Sequence, residues 1–414
     1  MKGLRGNIPG MKNPLVESGL PLFFRVADPP RELAAPRIRL GEAIRVVARS
    51  LSLMQKEALV ISARTGAVWR LASDEGAYLA GFDTAPCPLS FLTTGMVSST
   101  LNELYALASR RGIALERVRL VQDNYYTMKG SILQGTMRGG TGDVRLIAQI
   151  DSRAGGGDLA QLVQDAVVAS PVNGLLRESL QGRFTLDHNG RSLQLTDPAS
   201  TGIPIDSDPL EYFDRRPPEA GEWDKLIRRG EMTPQAAHTV TLSGGSLAPE
   251  QNRLLHVRGI CTLRDDGMKL IEQQLFNPHG SMFYFQSEEA PVNGGQGRAP
   301  DALTYAASGI AFCFMTQIGR YASIARQPLQ SCRIIQDVHF SLGGATGGTG
   351  QPGTAEPVET HVYLQSEESD ASALHMLVMA EQTCFLHALC KSLVETRVAV
   401  LPWSDDIPSP QLQP

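Results

Sequence analysis

Pro300-Asp-Ala-Leu-Thr-Tyr-Ala-Ala-Ser-Gly-Ile-Ala-Phe-Cys-Phe-Met-Thr316 is the stretch on which the fold turns. A proline at its head brings a fixed φ and lacks the N–H that a first helical turn leaves unused. The pattern runs on to about Ala325, and Ala306 to Met315 is apolar on nearly every side. A helix apolar all round is a buried one. The stretch therefore predicts a long helix at the centre of a core.

Working outward, that helix has a counterpart. Slid along itself by 214 residues, the chain matches without a gap: Ala85-Pro86 meets Ala299-Pro300 and Gly95 meets Gly309. Gln122-Asp123 meets Gln336-Asp337, Ala166 meets Ala380, and Leu175 meets Leu389. Such persistence at one offset, with the same apolar pattern between the identities, implies two homologous domains. We place them at 1–195 and 251–414. The intervening 196–250 is rich in turn formers and reads as a linker or insert.

Each copy shows the same coarse order. A strand, a turn and a strand (Ala58 to Ala63, Gly66, Val68 to Leu71) match Gln274 to Phe276, Gly280 and Met282 to Phe285. Two β-rich runs about a glycine predict a hairpin. The long helix follows, then two strands, with Val118 to Gln122 matching Cys332 to Gln336 and Val144 to Ile150 matching Val358 to Leu364. A second helix spans Asp158 to about Leu180 and Ser369 to about Val394, with Ser369 or Ser372 as N-cap. Last strands are expected at Arg183 to Leu186 and Arg397 to Val400. The class is α+β with antiparallel sheets.

Composition narrows the function. Lys and Arg number 38 against 43 Asp and Glu, a net charge of −5 on 414 residues. That argues against attachment to nucleic acid or an anionic membrane by bulk charge. No apolar run approaches the ~20 residues that cross a bilayer, and the start lacks a secretory signal, so a cytoplasmic location is expected. Six cysteines in this length make no disulfide framework.

The cysteines matter in another way. At the same offset Cys313 faces Ser99 and Cys384 faces Ser170. Two thiols on two helices are each matched by a hydroxyl, which keeps the shape and removes the nucleophile. Read plainly, each is a small buried hydrophobe, the usual fate of a free cysteine. The double correspondence favours chemistry.

The Pro300 to Thr316 segment resembles the Pro-Glu-Glu-Leu…Cys helix of the OsmC/Ohr family of organic hydroperoxide reductases. Ala380-Glu-Gln-Thr-Cys384 resembles its second cysteine helix, and Ala169-Ser-Pro-Val-Asn173 resembles its Cys-Pro-Val-Ser with the cysteine replaced. The likeness covers roughly 56–186 and 270–400. It implies two OsmC-like domains with antiparallel sheets around long central helices, closed as an intramolecular pseudo-dimer, with room for a further homodimer. It also implies a thiol-dependent peroxidase that reduces organic hydroperoxides or another apolar substrate. Cys313 would be peroxidatic and Cys384 resolving. No bound cofactor is implied, since an external dithiol of lipoyl type supplies the electrons. The chain departs from the family at Asp301-Ala302, where an acidic pair is usual, and at Phe385, where a proline is usual.

Asp301, Arg298 and His387 are supporting candidates. Cys313 lies too far inside its helix for the N-terminal dipole to help, so a cation must come from elsewhere. Arg298, Arg264 and Arg258 qualify by chain position. Cys384 and His387 lie one turn apart on one face, which admits a thiolate–imidazole pair. It also admits part of a metal site with His375 or Cys390. The packed-histidine reading is preferred, because structural zinc wants four ligands. Two other functions are weighed: acyl or C–S chemistry on a cysteine nucleophile, and a small-molecule binding module. The Gly139 to Gly142 and Gly344 to Gly350 stretches lack Gly-Lys-Ser/Thr and read as hairpin loops.

Overall fold

A computed structural model describes residues 12–52, 54–214, 216–234 and 245–410. The N-terminal half gives α1 (Pro14–Glu17), β1 (Phe24–Arg25), β2 (Glu42–Ser52), β3 (Gln55–Ser62), β4 (Val68–Ser73) and α2 (Pro88–Arg111). It continues with β5 (Arg117–Ser131), β6 (Arg138–Thr141), β7 (Val144–Asp151), α3 (Gly156–Ala169), β8 (Arg183–His188) and β9 (Arg191–Leu193). The C-terminal half gives β10 (Ile227–Met232), β11 (Glu250–Leu263), β12 (Lys269–Asn277), β13 (Ser281–Ser287) and α4 (Ala302–Ala325). It ends with β14 (Leu329–Phe340), β15 (Glu359–Ser366), α5 (Asp370–Thr383), α6 (Phe385–Lys391) and β16 (Thr396–Pro402). The long helices α2 and α4 have 24 residues each and start 214 residues apart, as do α3 and α5 with 14 each.

The class is α+β, and the sheets are shared between the halves. One runs β1-β4-β3-β2-β14-β15-β8-β9, the other β10-β13-β12-β11-β5-β7-β16, with β6 paired to β5. The meander β2–β4 thus joins the C-terminal strand β14, and the meander β11–β13 joins the N-terminal strand β5. The all-antiparallel expectation needs correction, because β8 runs parallel to β15 and β16 runs parallel to β7. These partners come from opposite halves, so no hairpin fixes their direction.

The helices α2 and α4 pack on each other between the sheets. Tyr305, Ala306, Ile310, Phe312 and Phe314 of α4 are fully buried, as an all-round apolar pattern requires. α4 is long and apolar enough to cross a bilayer, contrary to the reading of its composition, and it is spent inside the core. Close crossing rests on two glycines. A Cβ on Gly95 would lie 2.7 Å from the Ala302 carbonyl oxygen, and one on Gly309 would lie 2.7 Å from the Leu92 nitrogen. Pro300 stands just outside α4, and Asp301 caps it by accepting the Thr304 N–H at 2.7 Å.

The predicted second helices are each broken. α3 stops at Ala169 and α5 at Thr383, and the residues that follow, Ser170 and Cys384, are extended. Beyond Cys384 the chain turns by 66° into α6, which stops at Lys391. Ser369 caps α5. The described part of 196–250 packs on the body: Asp208 accepts from Arg333 at 2.6 Å, Phe213 is buried under Arg49, and β10 extends a sheet edge.

Candidate functional site

Cys313 sits halfway along the buried helix α4, 2% exposed. Cys384 sits at the break between α5 and α6, fully buried. The break matters because it turns the Cys384 thiol out of helical register and toward α4. Burial pushes this thiol well above the ordinary range, and a hydrogen-bonding contact with Cys313 pushes it further. Cys384 is therefore a protonated thiol at neutral pH. All six cysteines are free and buried.

His387 lies one turn on, with Nδ1 3.2 Å from the Cys384 sulfur. It is sandwiched by Phe184 and Phe314, and burial pushes it down to about 4, so the ring is neutral. Its Nε2 has no partner among the described residues. His375 stacks edge-on against Tyr321. Among the described residues no three His, Cys, Asp or Glu side chains converge as metal ligands.

The charged groups near Cys313 were not legible in the sequence. Lys56 of β3 is buried, and its Nζ donates to Thr316 Oγ1 at 2.8 Å and to the Met54 carbonyl at 2.7 Å. Thr316, one turn after Cys313, donates to Glu75 Oε1 at 3.1 Å, and the Tyr78 hydroxyl donates to Glu75 Oε2 at 2.7 Å. Burial pushes the Lys56 amine down, against the pull of Glu75, Asp74 and then Cys313. Burial likewise pushes the Glu75 carboxyl up, against Lys56.

A cavity of about 40 Å³ opens beside these groups. Cys313, Thr316, Glu75, Cys87, Arg253, Arg320 and Phe385 are among its walls. Such a volume holds a few waters. Arg320 stands two turns after Cys313 on α4. Its guanidinium donates to the Ser246 carbonyl at 2.8 Å and to Gln317 Oε1 at 2.7 Å, and burial, then Arg253, pushes it down to about 9.

The arginines proposed from chain position lie elsewhere. Arg298 pairs with Glu288 and Asp266 at the surface, and Arg264 pairs with Asp266. Arg258 is buried against Asp123 at the junction of β11 and β5. None of the three lines the cavity. Asp301 is twelve residues before Cys313, roughly 18 Å at ~1.5 Å per residue. It neighbours Glu289, and burial first, then Glu289, pushes its carboxyl up to about 7. Cys87 was passed over in the sequence. Its signal was positional, since it opens α2 where Asp301 opens α4.

A second cavity, about 50 Å³, repeats the first on the other side. Ser99 and Ser170 hydrogen-bond there at 2.8 Å. Asn102 replaces Thr316: it accepts from Lys269 Nζ at 2.7 Å and donates to Glu289 at 2.7 Å. The Lys–polar–Glu chain is kept, and the sulfurs are gone. Neither glycine-rich stretch cradles a ligand here. Residues 139–141 lie in β6, and the loop after β14 wraps Glu103, which accepts from the Ala345 and Thr346 N–H groups.

No family model and no curated protein matches this chain. Among solved structures it is similar to an OsmC-like hydroperoxide resistance protein from Jannaschia sp. CCS1. The identity is 16%, over 38% of this chain and 100% of that one, with a TM-score of 0.25.

Proposed function

We propose that this chain is a thiol peroxidase made of two OsmC/Ohr-like copies, one live and one silent, which reduces organic hydroperoxides through Cys313 and Cys384. One observation carries the reading: Cys384, at the α5–α6 break, interacts with Cys313 of α4, and Cys313 faces a cavity that also receives a buried Lys56–Thr316–Glu75 chain. The same chain on the opposite side faces two serines.

The Cys313 thiolate attacks the outer oxygen of the hydroperoxide. An S–O bond forms, the O–O bond breaks, and the alkoxide leaves and takes a proton from solvent. Sulfur is oxidised to sulfenic acid as the peroxide is reduced to an alcohol. Cys384 then attacks the sulfenic sulfur, forming the S–S bond and expelling water. A dithiol of lipoyl type, as the reductant, is oxidised to its own disulfide and restores both thiols. Lys56 supplies a positive charge that acts on a thiolate at Cys313. Cys384 gives up its thiol proton in the second step, and that proton leaves with the sulfenic oxygen as water.

The contact of His387 with Cys384 supports a second reading, a Cys–His nucleophile for acyl or C–S chemistry. The directions oppose it, for the imidazole is pushed down and the thiol up, which leaves both neutral.

With cumene hydroperoxide and dihydrolipoamide, Cys313→Ser is expected to consume no peroxide. Cys384→Ser is expected to consume one equivalent and stop, leaving a sulfenic acid that a 1,3-dione traps at Cys313. Unchanged turnover in the Cys313 variant overturns the reading.

A further inference from the structure

An open cleft of about 420 Å³ lies away from both thiols, between α3 and the start of β16. Val167, Asn173, Leu176, Arg177 and Val398 are among its walls. Arg177 is half-buried. Its guanidinium donates to the Gly353 and Val167 carbonyls, and no acidic side chain pairs with it among the described residues. Burial alone pushes it down to about 10. A desolvated cation without an anion is costly, and carbonyl dipoles answer only part of that cost. Asn173, 3% exposed, donates its amide N–H groups to Thr100 and to the Val167 carbonyl, while its Oδ1 has no partner.

The chain carries its own control 214 residues on. There Arg177 becomes Lys391, Val167 becomes Glu381 and Asn173 becomes His387. Lys391 pairs with Glu381. The ring of His387 packs between Phe184 and Phe314, and a Cβ on Gly182 would lie 2.9 Å from it. In that copy the cation has an internal carboxylate and the space is filled. In the N-terminal copy the carboxylate is a valine and the space is open.

We propose that this cleft binds a small organic carboxylate. Its carboxylate takes on Arg177 the role that Glu381 plays for Lys391. Its apolar body lies along Val167, Leu176 and Val398, and a hydroxyl or N–H on it donates to Asn173 Oδ1. The site is independent of the peroxidase reading.

Mandelate is a suitable probe, with a carboxylate, a hydroxyl donor and a ring. Titrated calorimetrically into the full chain, it is expected to bind saturably. The neutral mandelamide is expected to bind at least about tenfold more weakly, as loss of a charge-assisted contact dictates, and phenylacetate to fall between. Arg177→Gln removes the cation and Val167→Glu installs the internal partner, and each is expected to weaken mandelate by about tenfold or more. Val167→Glu should also raise the melting temperature, which keeps the test informative if Arg177→Gln folds poorly. Absence of saturation in the natural chain, equal binding by Val167→Glu, or preference for inorganic phosphate over mandelate would each overturn the proposal.

Discussion

Among the described residues Lys56 pairs directly with no carboxylate. Its amine is hydrogen-bonded to Glu75 through the Thr316 hydroxyl, and it stands close enough to Cys313 for the two charges to act on one another. Lys56→Met keeps the length and removes the charge. In a Cys384→Ser background, alkylation of Cys313 by iodoacetamide at neutral pH is expected to slow by about tenfold, as loss of an interacting opposite charge predicts. Equal rates would remove Lys56 from the chemistry. His387 gives a separate, thermodynamic prediction. Burial holds it near 4, below the ~6.5 of an unfolded chain. Between those values the unfolded chain takes up a proton that the folded one refuses, so this contribution is lost as pH falls from about 6.5 toward 4. Asp301 acts in the opposite sense, because its carboxyl, raised to about 7, holds a proton the unfolded chain has released. The comparison with His387→Phe separates them. Measured by urea unfolding, the loss between about pH 7 and pH 5 should be roughly 2 kcal/mol smaller in the variant.

At the scale of elements, the crossing of α2 and α4 is set by Gly95 and Gly309. A methyl at Gly309 meets the Leu92 nitrogen, which is backbone and cannot turn aside. Gly309→Ala is expected to cost about 1–3 kcal/mol through overpacking. Gly157 in α3 has nothing within 4 Å, so Gly157→Ala should gain roughly 0.5–1 kcal/mol from helix propensity and a stiffer unfolded chain. Equal effects in chemical denaturation would mean that the helices separate freely. What the sequence showed follows the same physics. α4 was legible because its stretch from Ala306 to Met315 is apolar on nearly every side. The break after Ala169 had a local cause, since Pro171 disfavours helical backbone in the residue before it. Phe385 imposes no such limit, so the break at Cys384 is tertiary and was invisible. β2 and β11 were missed because their charged residues hide a strand's pattern. Arg45 is partly buried and Arg258 fully, and they are spoken for by Asp337 and Asp123 at 2.7 Å each. Cys313 and Cys384 could be singled out from two coincidences at one offset. Lys56 could not, because only the folded sheet brings a strand of one half to a helix of the other.

At the scale of the molecule, those same ion pairs mark the seams. Arg45–Asp337 lies where β2 meets β14, and Arg258–Asp123 where β11 meets β5. Each meander finds its neighbour only in the opposite half, and each long helix finds its packing partner there too. A half on its own would leave the inner edges of β2 and β5, or of β11 and β14, unpaired, together with the apolar face of a 24-residue helix. Unpaired strand edges and an open core of that kind do not persist in water. The chain cut between Gly221 and Glu222, where the backbone is exposed, tests this. The two fragments are expected to associate into one particle with cooperative unfolding when mixed. Alone, each is expected to be unfolded, aggregated or paired with a second copy of itself, since strands and helices of like geometry recur at one offset. Light scattering after size exclusion, with near-ultraviolet circular dichroism, distinguishes these states. A monomeric fragment that unfolds cooperatively would show that one half can complete a core without the other, and the shared sheets would then be an embellishment of two independent folds.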